Sequence, residues 1–87
     1  MKTWQREFWN GPPVRLPDEF RMTKQIGNHT FTAVCECWAV EAGWELRLMI
    51  DGDRLLLSRL ARSGQELVDT VEKWKATMIG HGWSLTR

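Results

Sequence analysis

From Phe20 onward, hydrophobic and polar residues alternate with a period of two. In "FRMTKQI", Phe20, Met22 and Ile26 fall on one side and Arg21, Thr23 and Gln25 on the other, the pattern of a half-buried strand. Gly27-Asn28 follows, a pair suited to a two-residue hairpin turn. "HTFTAVCECWAV" then predicts a long second strand. After Glu41-Ala42-Gly43, "WELRLMI" sets Trp44, Leu46, Leu48 and Ile50 against Glu45, Arg47 and Met49. Asp51-Gly52 is the strongest hairpin signal in the chain, and "DRLLLSRLA" supplies a fourth strand. The expected sheet is an antiparallel meander over about 20–26, 29–40, 44–50 and 53–60.

Turn parity predicts which side of this sheet is buried. A two-residue turn at Asp51-Gly52 places Leu48 opposite Leu55 and Leu46 opposite Leu57. A two- or four-residue connection at 40–43 sets the even side of strand three against Phe31, Ala33, Cys35, Cys37 and Ala39 of strand two. A Gly27-Asn28 turn then brings Met22 to Ala33 and Phe20 to Cys35. All three turns agree on one apolar face, whereas a three-residue connection at 41–43 turns Trp38 inward. The small residues of strand two form a trough on that face.

A period of 3.6 begins after Ser63. Leu67, Val71, Trp74 and Met78 recur on one stripe, predicting an amphipathic helix over 64–79. Ser63 and Glu66 have capping-box spacing, and Gly80 and Gly82 stop the helix. Trp74 and Met78 are expected in the trough beside the cysteines. Val68 and Ile79 lie on the helix flank. The chain is therefore expected to be a single α+β domain over 1–87, with the sheet in 20–61, the helix packed on one face within 63–80, and a tail at 81–87. Residues 1–19 are expected to form an irregular Trp-rich leader arm. In it Trp4, Phe8 and Trp9 group at helical spacing, until Asn10-Gly11-Pro12-Pro13 breaks any regular element.

Composition sharpens the picture in two places. Six Trp and no Tyr in 87 residues mean that a core or an interface relies on large rigid indoles. The net charge of +1 is unevenly spread: residues 1–30 sum to +2, 31–53 to −4 and 54–87 to +3. No basic run of the kind seen in nucleic-acid or membrane tails is present. The start lacks the apolar core of a signal peptide, and no segment is a candidate membrane span. A cytoplasmic location is expected, with both thiols reduced.

The candidate chemistry is thin. Cys35-x-Cys37 offers half of a zinc site, but His29 and His81 are the only histidines and nothing brings them together. Two buried thiols acting as small apolar groups are the simpler reading. Asp51-Gly52-Asp53 starts like a calcium loop, then runs into Leu55, Leu56 and Leu57 where oxygen ligands are needed. Gly80-His81-Gly82 follows a helix, whereas a phosphate cradle opens one. No nucleophile has a base at a recognised spacing, so no catalytic activity, metal or cofactor is expected.

The outer sheet face is mixed: Val34, Trp38, Met49 and Leu56 are apolar within a rim that includes Arg47 and Glu45. The expected function is a small interaction module that associates with itself as a homodimer. Its interface candidates are Trp4, Phe8 and Trp9 of the leader, Val34, Trp38, Arg47, Met49 and Leu56 of the sheet, and Val68 and Ile79 of the helix. Two other readings stand beside it. One is single-stranded nucleic-acid binding, with Trp38 as a stacking platform among Arg21, Arg47 and Arg54, opposed by Glu36, Glu41 and Glu45. The other is a small ligand between helix and sheet near Cys35, Cys37, Trp44 and Trp74.

Overall fold

The structure, a computed structural model, describes residues 12–86. Trp4, Phe8 and Trp9 lie outside the described residues. Four strands, β1 (Val14–Ile26), β2 (His29–Val40), β3 (Gly43–Ile50) and β4 (Arg54–Ala61), precede one helix, α1 (Gly64–Gly80), and a short β5 (Ser84–Leu85). All strand pairs are antiparallel and the sheet order is β4-β3-β2-β1-β5. The α+β meander with a C-terminal helix is as expected; the fifth strand is additional. No described helix is long and apolar enough to cross a membrane.

The first two registers follow the parity argument. Ile26 pairs with His29 across Gly27-Asn28, Met22 with Ala33 and Phe20 with Cys35. Gly27 takes the positive φ, 61°, that its turn requires. Val40 pairs with Gly43 across Glu41-Ala42, which sets Cys35 against Leu48 and Cys37 against Leu46. Alternate residues of the three strands therefore converge on one layer, and Met22, Ala33, Cys35, Cys37, Leu46 and Leu48 are all buried there.

The third turn differs from expectation. Its loop has three residues, Asp51-Gly52-Asp53, so that Ile50 pairs with Arg54 and Met49 with Leu55. The cause lies at Asp51. Its N–H donates to the Thr32 carbonyl at 2.8 Å, and its carboxylate accepts from the Thr32 N–H at 3.0 Å. Asp51 thus remains tied to β2, and the bend begins one residue later. Odd turn parity alone reverses the faces of β4. A bulge at Leu56 restores them, leaving Leu48 opposite Leu57 and Leu46 opposite Arg59. From Leu57 onward the face is the expected one and the register is two residues from it; before the bulge the faces are exchanged, with Arg54, expected on the outer face, opposite Ile50 and Leu55, expected inward, opposite Met49.

The arm also differs. Residues 14–19, expected to be irregular, belong to β1. Val14 pairs with Ala39, Arg15 with Trp38 and Leu16 with Cys37, and the ladder then breaks until Phe20. Pro17 lies within that break, where the missing N–H costs no ladder bond.

α1 covers the inner face. Ser63 Oγ accepts from the Glu66 N–H at 3.1 Å, and Glu66 Oε1 accepts from the Arg62 N–H at 2.6 Å. This is the expected capping box with its return bond moved one residue outward. At the other end the Trp83 N–H reaches the Met78 carbonyl and the Gly82 N–H the Ile79 carbonyl, with Gly82 at φ 94°. That pair of bonds is a Schellman stop, and it turns the chain back so that β5 pairs with Met22 and Thr23. Val71 and Met78 complete the core, and Leu67, Trp74 and Trp83 pack against it.

Candidate interaction surface

The cysteines are part of the core. Cys35 and Cys37 are 0% and 1% exposed and unbridged. Burial pushes the Cys35 thiol up to about 12 and the Cys37 thiol up to about 11, with the negative charge of Glu19 adding to both. A thiol that stays protonated at neutral pH is a poor nucleophile and a poor metal ligand. Among the described residues no cluster of His, Cys, Asp and Glu could hold a metal ion.

On the outer face, the sheet brings Val34, Trp38, Arg47 and Met49 together. Val34 pairs with Met49 and Glu36 with Arg47, one pleat from Trp38. The Arg47 guanidinium lies 4.8 Å and that of Arg15 5.9 Å from the Trp38 ring centre, within cation–π range. The Trp38 indole N–H donates to Glu36 Oε1 at 2.9 Å. Arg47 also meets Glu45 at 2.9 Å, and Arg15 meets Asp18 at 2.8 Å. Both carboxylates, through these hydrogen bonds, raise the arginine pKa further. Val34 is only 9% exposed. This face therefore satisfies its own aromatic, cationic and acidic groups.

β4 contrasts with it. β4 is the outermost strand on its side of the sheet, with no strand beyond it among the described residues. Leu55, Leu56 and Leu57 are 58%, 56% and 45% exposed. The arm of β1, at the opposite margin, is interrupted by Pro17 and followed by a stretch paired with β5. Such features protect an edge, whereas an open apolar edge is a template for another strand. Leu56 does not join Val34 and Met49 as expected; the three-residue loop gives the place opposite Met49 to Leu55, and Leu56 is the bulged residue. Leu56 instead lines a groove.

That groove, of about 560 Å³, runs between β4 and α1. Its apolar walls come from Leu48, Leu56 and Leu57 of the sheet, Trp74 and Met78 of the helix, and Trp83 beyond it; Lys73, Thr77 and His81 are its polar members. The cysteines do not line it, so the trough expected beside them is filled while an opening remains nearer the edge. Val68 and Ile79, 54% and 51% exposed, do not line it either. The sequence pattern alone does not single out Leu55, Leu57 or Trp83 as surface candidates. The signal for the first two was present: three successive leucines in a terminal strand place apolar groups on both faces at once.

Compared with protein-family models, curated proteins and solved structures, the chain has no significant match in any of the three.

Proposed function

We propose that this chain is a small protein-interaction module without chemistry of its own, and that it binds through β4 and the groove beside it. The observation that carries this reading is the exposure of Leu55, Leu56 and Leu57 on an outermost strand. An open backbone edge and a contiguous apolar strip are what strand addition and apolar docking use. The self-association expected from the sequence is one use of this surface; a different protein is the other. The outer face supports nucleic-acid binding less well, because Trp38 is already stacked with Arg15 and Arg47.

Two measurements on the full chain test the proposal. Sedimentation equilibrium gives the mass of the wild type and of Leu57→Asp across a wide concentration range. A dimer that dissociates in the variant identifies a second copy on this surface; a monomer leaves it for another protein. Amide hydrogen exchange on the monomer supplies the refuting result. If the outward amides of β4 are as protected as those of β2, the edge is already covered within the chain, and the proposal fails.

A further inference from the structure

The charge on the β4 edge says which strand it suits. Residues 54–62 read "RLLLSRLAR", with Arg54, Arg59 and Arg62 and no carboxylate. All three arginines are exposed, and among the described residues none of them is within ion-pair distance of a carboxylate, Arg54 acting on Asp51 only at longer range. The arginines of the outer face, Arg15, Arg21 and Arg47, each have a carboxylate partner. Arg54 and Arg59 stand opposite Ile50 and Leu46 in the ladder, so they share the helix side of the sheet with Leu57. Lys73 of α1 adds a further cation at the groove, and no acidic residue lines it.

Two consequences follow. Laid against a second β4, no arginine meets a carboxylate within residues 54–62, where Asp53 of the preceding loop is the nearest one, and like charges on paired strands repel. The same arginines attract an acidic strand, so one set of side chains rejects one partner and selects another. We propose that the free edge of β4 takes an extended acidic segment of a partner protein. The segment adds as a strand, with acidic side chains opposite Arg54 and Arg59 and an apolar side chain between them opposite Leu57, entering the groove. Residues directly opposite in an antiparallel pair share a face; Arg54 and Leu57 are three positions apart only because Leu56 is bulged out of the ladder, so a regular partner strand meets Arg54, Leu57 and Arg59 with acidic, apolar and acidic side chains at alternate positions. Leucines, unlike aromatic rings, give nucleic-acid bases nothing to stack on, which favours a peptide over an oligonucleotide. This inference rests on the β4 reading above and names the class of partner.

The test uses the full chain and three fluorescein-labelled peptides: Thr-Glu-Val-Leu-Val-Glu-Thr, the same peptide with glutamine at both acidic positions, and the same peptide with lysine there. Fluorescence anisotropy gives the affinities. The glutamate peptide is expected to bind about 30-fold more tightly than the lysine peptide, because two cross-strand pairs change from attraction to repulsion. Its binding weakens as salt is added. The double variant R54E/R59E reverses the order of the two charged peptides, and this reversal shows that the variant is folded. Equal binding of all three peptides overturns the acidic preference but leaves β4 as a docking edge. A preference that R54E/R59E does not reverse overturns the placement on β4. Binding to none of the three overturns the proposal. In that case sedimentation and amide exchange of the same sample separate the causes: a dimer means a second copy occupies the surface, and a monomer whose outward β4 amides are as protected as those of β2 means that the β4 reading falls too. Tighter binding of a mixed-sequence single-stranded oligonucleotide, displaced by R54E/R59E, also overturns it.

Discussion

Gly43 supports a sharp test of the packing around the β2–β3 turn. It opens β3 opposite Val40 with φ 144°, a backbone conformation that side chains rarely adopt. A Cβ built on it falls well inside van der Waals contact of the Ala61 carbonyl oxygen, and lies 3.1 Å from Arg62 Cα. Both atoms are backbone, so no side-chain rotation relieves the clash. The start of β3 therefore approaches the end of β4 as closely as a glycine permits. For Gly43→Ala the conformational strain costs about 1–3 kcal/mol, and forcing β4 away adds about 1–3 kcal/mol more. The expected loss is about 2–6 kcal/mol, a large part of the roughly 4–13 kcal/mol total that suits 87 residues. Gly52→Ala is the control. Gly52 also has a positive φ, 83°, but a Cβ there meets nothing within 4 Å, so only the conformational cost of about 1 kcal/mol applies. Urea denaturation followed by tryptophan fluorescence measures both variants. If Gly43→Ala costs no more than Gly52→Ala, the close approach of β3 to β4 is wrong.

Three further outcomes follow from single groups. Ser63→Ala removes the acceptor for the Glu66 N–H and should cost about 1 kcal/mol, read as a lower urea midpoint with unchanged helical circular dichroism in water. Cys35 ionises near 9.0 when unfolded but at about 12 when folded, so its protonated form is retained by the fold. The unfolded state then binds fewer protons between these values, and stability falls as pH rises: about 2 kcal/mol from this thiol by pH 10.5. Cys35→Ala should reduce that alkaline slope in pH-dependent urea melts, with Cys37, raised to about 11, supplying the remainder, and the lack of Tyr removes a competing titration. Asp51 has its pKa lowered by the Thr32 N–H, then by His29, so its contribution is present above the usual carboxylate range and is lost as pH falls through the folded value. Asp51→Asn suits the positive φ of 53° and removes only the charge; its thermal midpoint should lie below that of the wild type at pH 7 and approach it in acid.

The buried layer was legible because it depends on period alone. Alternation and two even-length turns place Cys35, Cys37, Leu46 and Leu48 inward, and the structure has those turns. The helix was legible for the same reason: Ser63, Glu66 and Gly82 are local signals with local geometry. The β3–β4 register was not legible, because it turns on two hydrogen bonds between Asp51 and Thr32, nineteen residues apart in the chain. No turn propensity contains that contact. The arm was missed for a related reason. Pro17 argues against a strand, yet it falls in the one stretch where the β1–β2 ladder is already broken. The candidate surface moved from the outer face to β4 because local residue types do not show whether a tryptophan finds its partners. Trp38 finds Glu36, Arg15 and Arg47, whereas the leucines of β4 remain exposed.

The Asp51 anchor and the β4 surface are two ends of one geometry. Because Asp51 stays paired with Thr32, β4 enters the sheet one residue late, and Leu56 must bulge to keep the apolar face inward. The longer loop and the bulge together slide the rest of β4 by two positions. Leu57, which a two-residue turn sets against Leu46, now faces Leu48 beside Trp74 and Met78, at the mouth of the groove. Arg59 takes the place opposite Leu46 and lies exposed on the helix side of the edge. With the simpler turn, leucines 55 and 57 sit against Leu48 and Leu46, so Leu55 takes the groove position, Arg59 passes beyond Leu46, and Arg54 turns to the outer face. A carboxylate in a turn thus decides where the apolar strip and its flanking charges meet the groove, and the proposed docking edge is a consequence of that register as much as of the three leucines themselves.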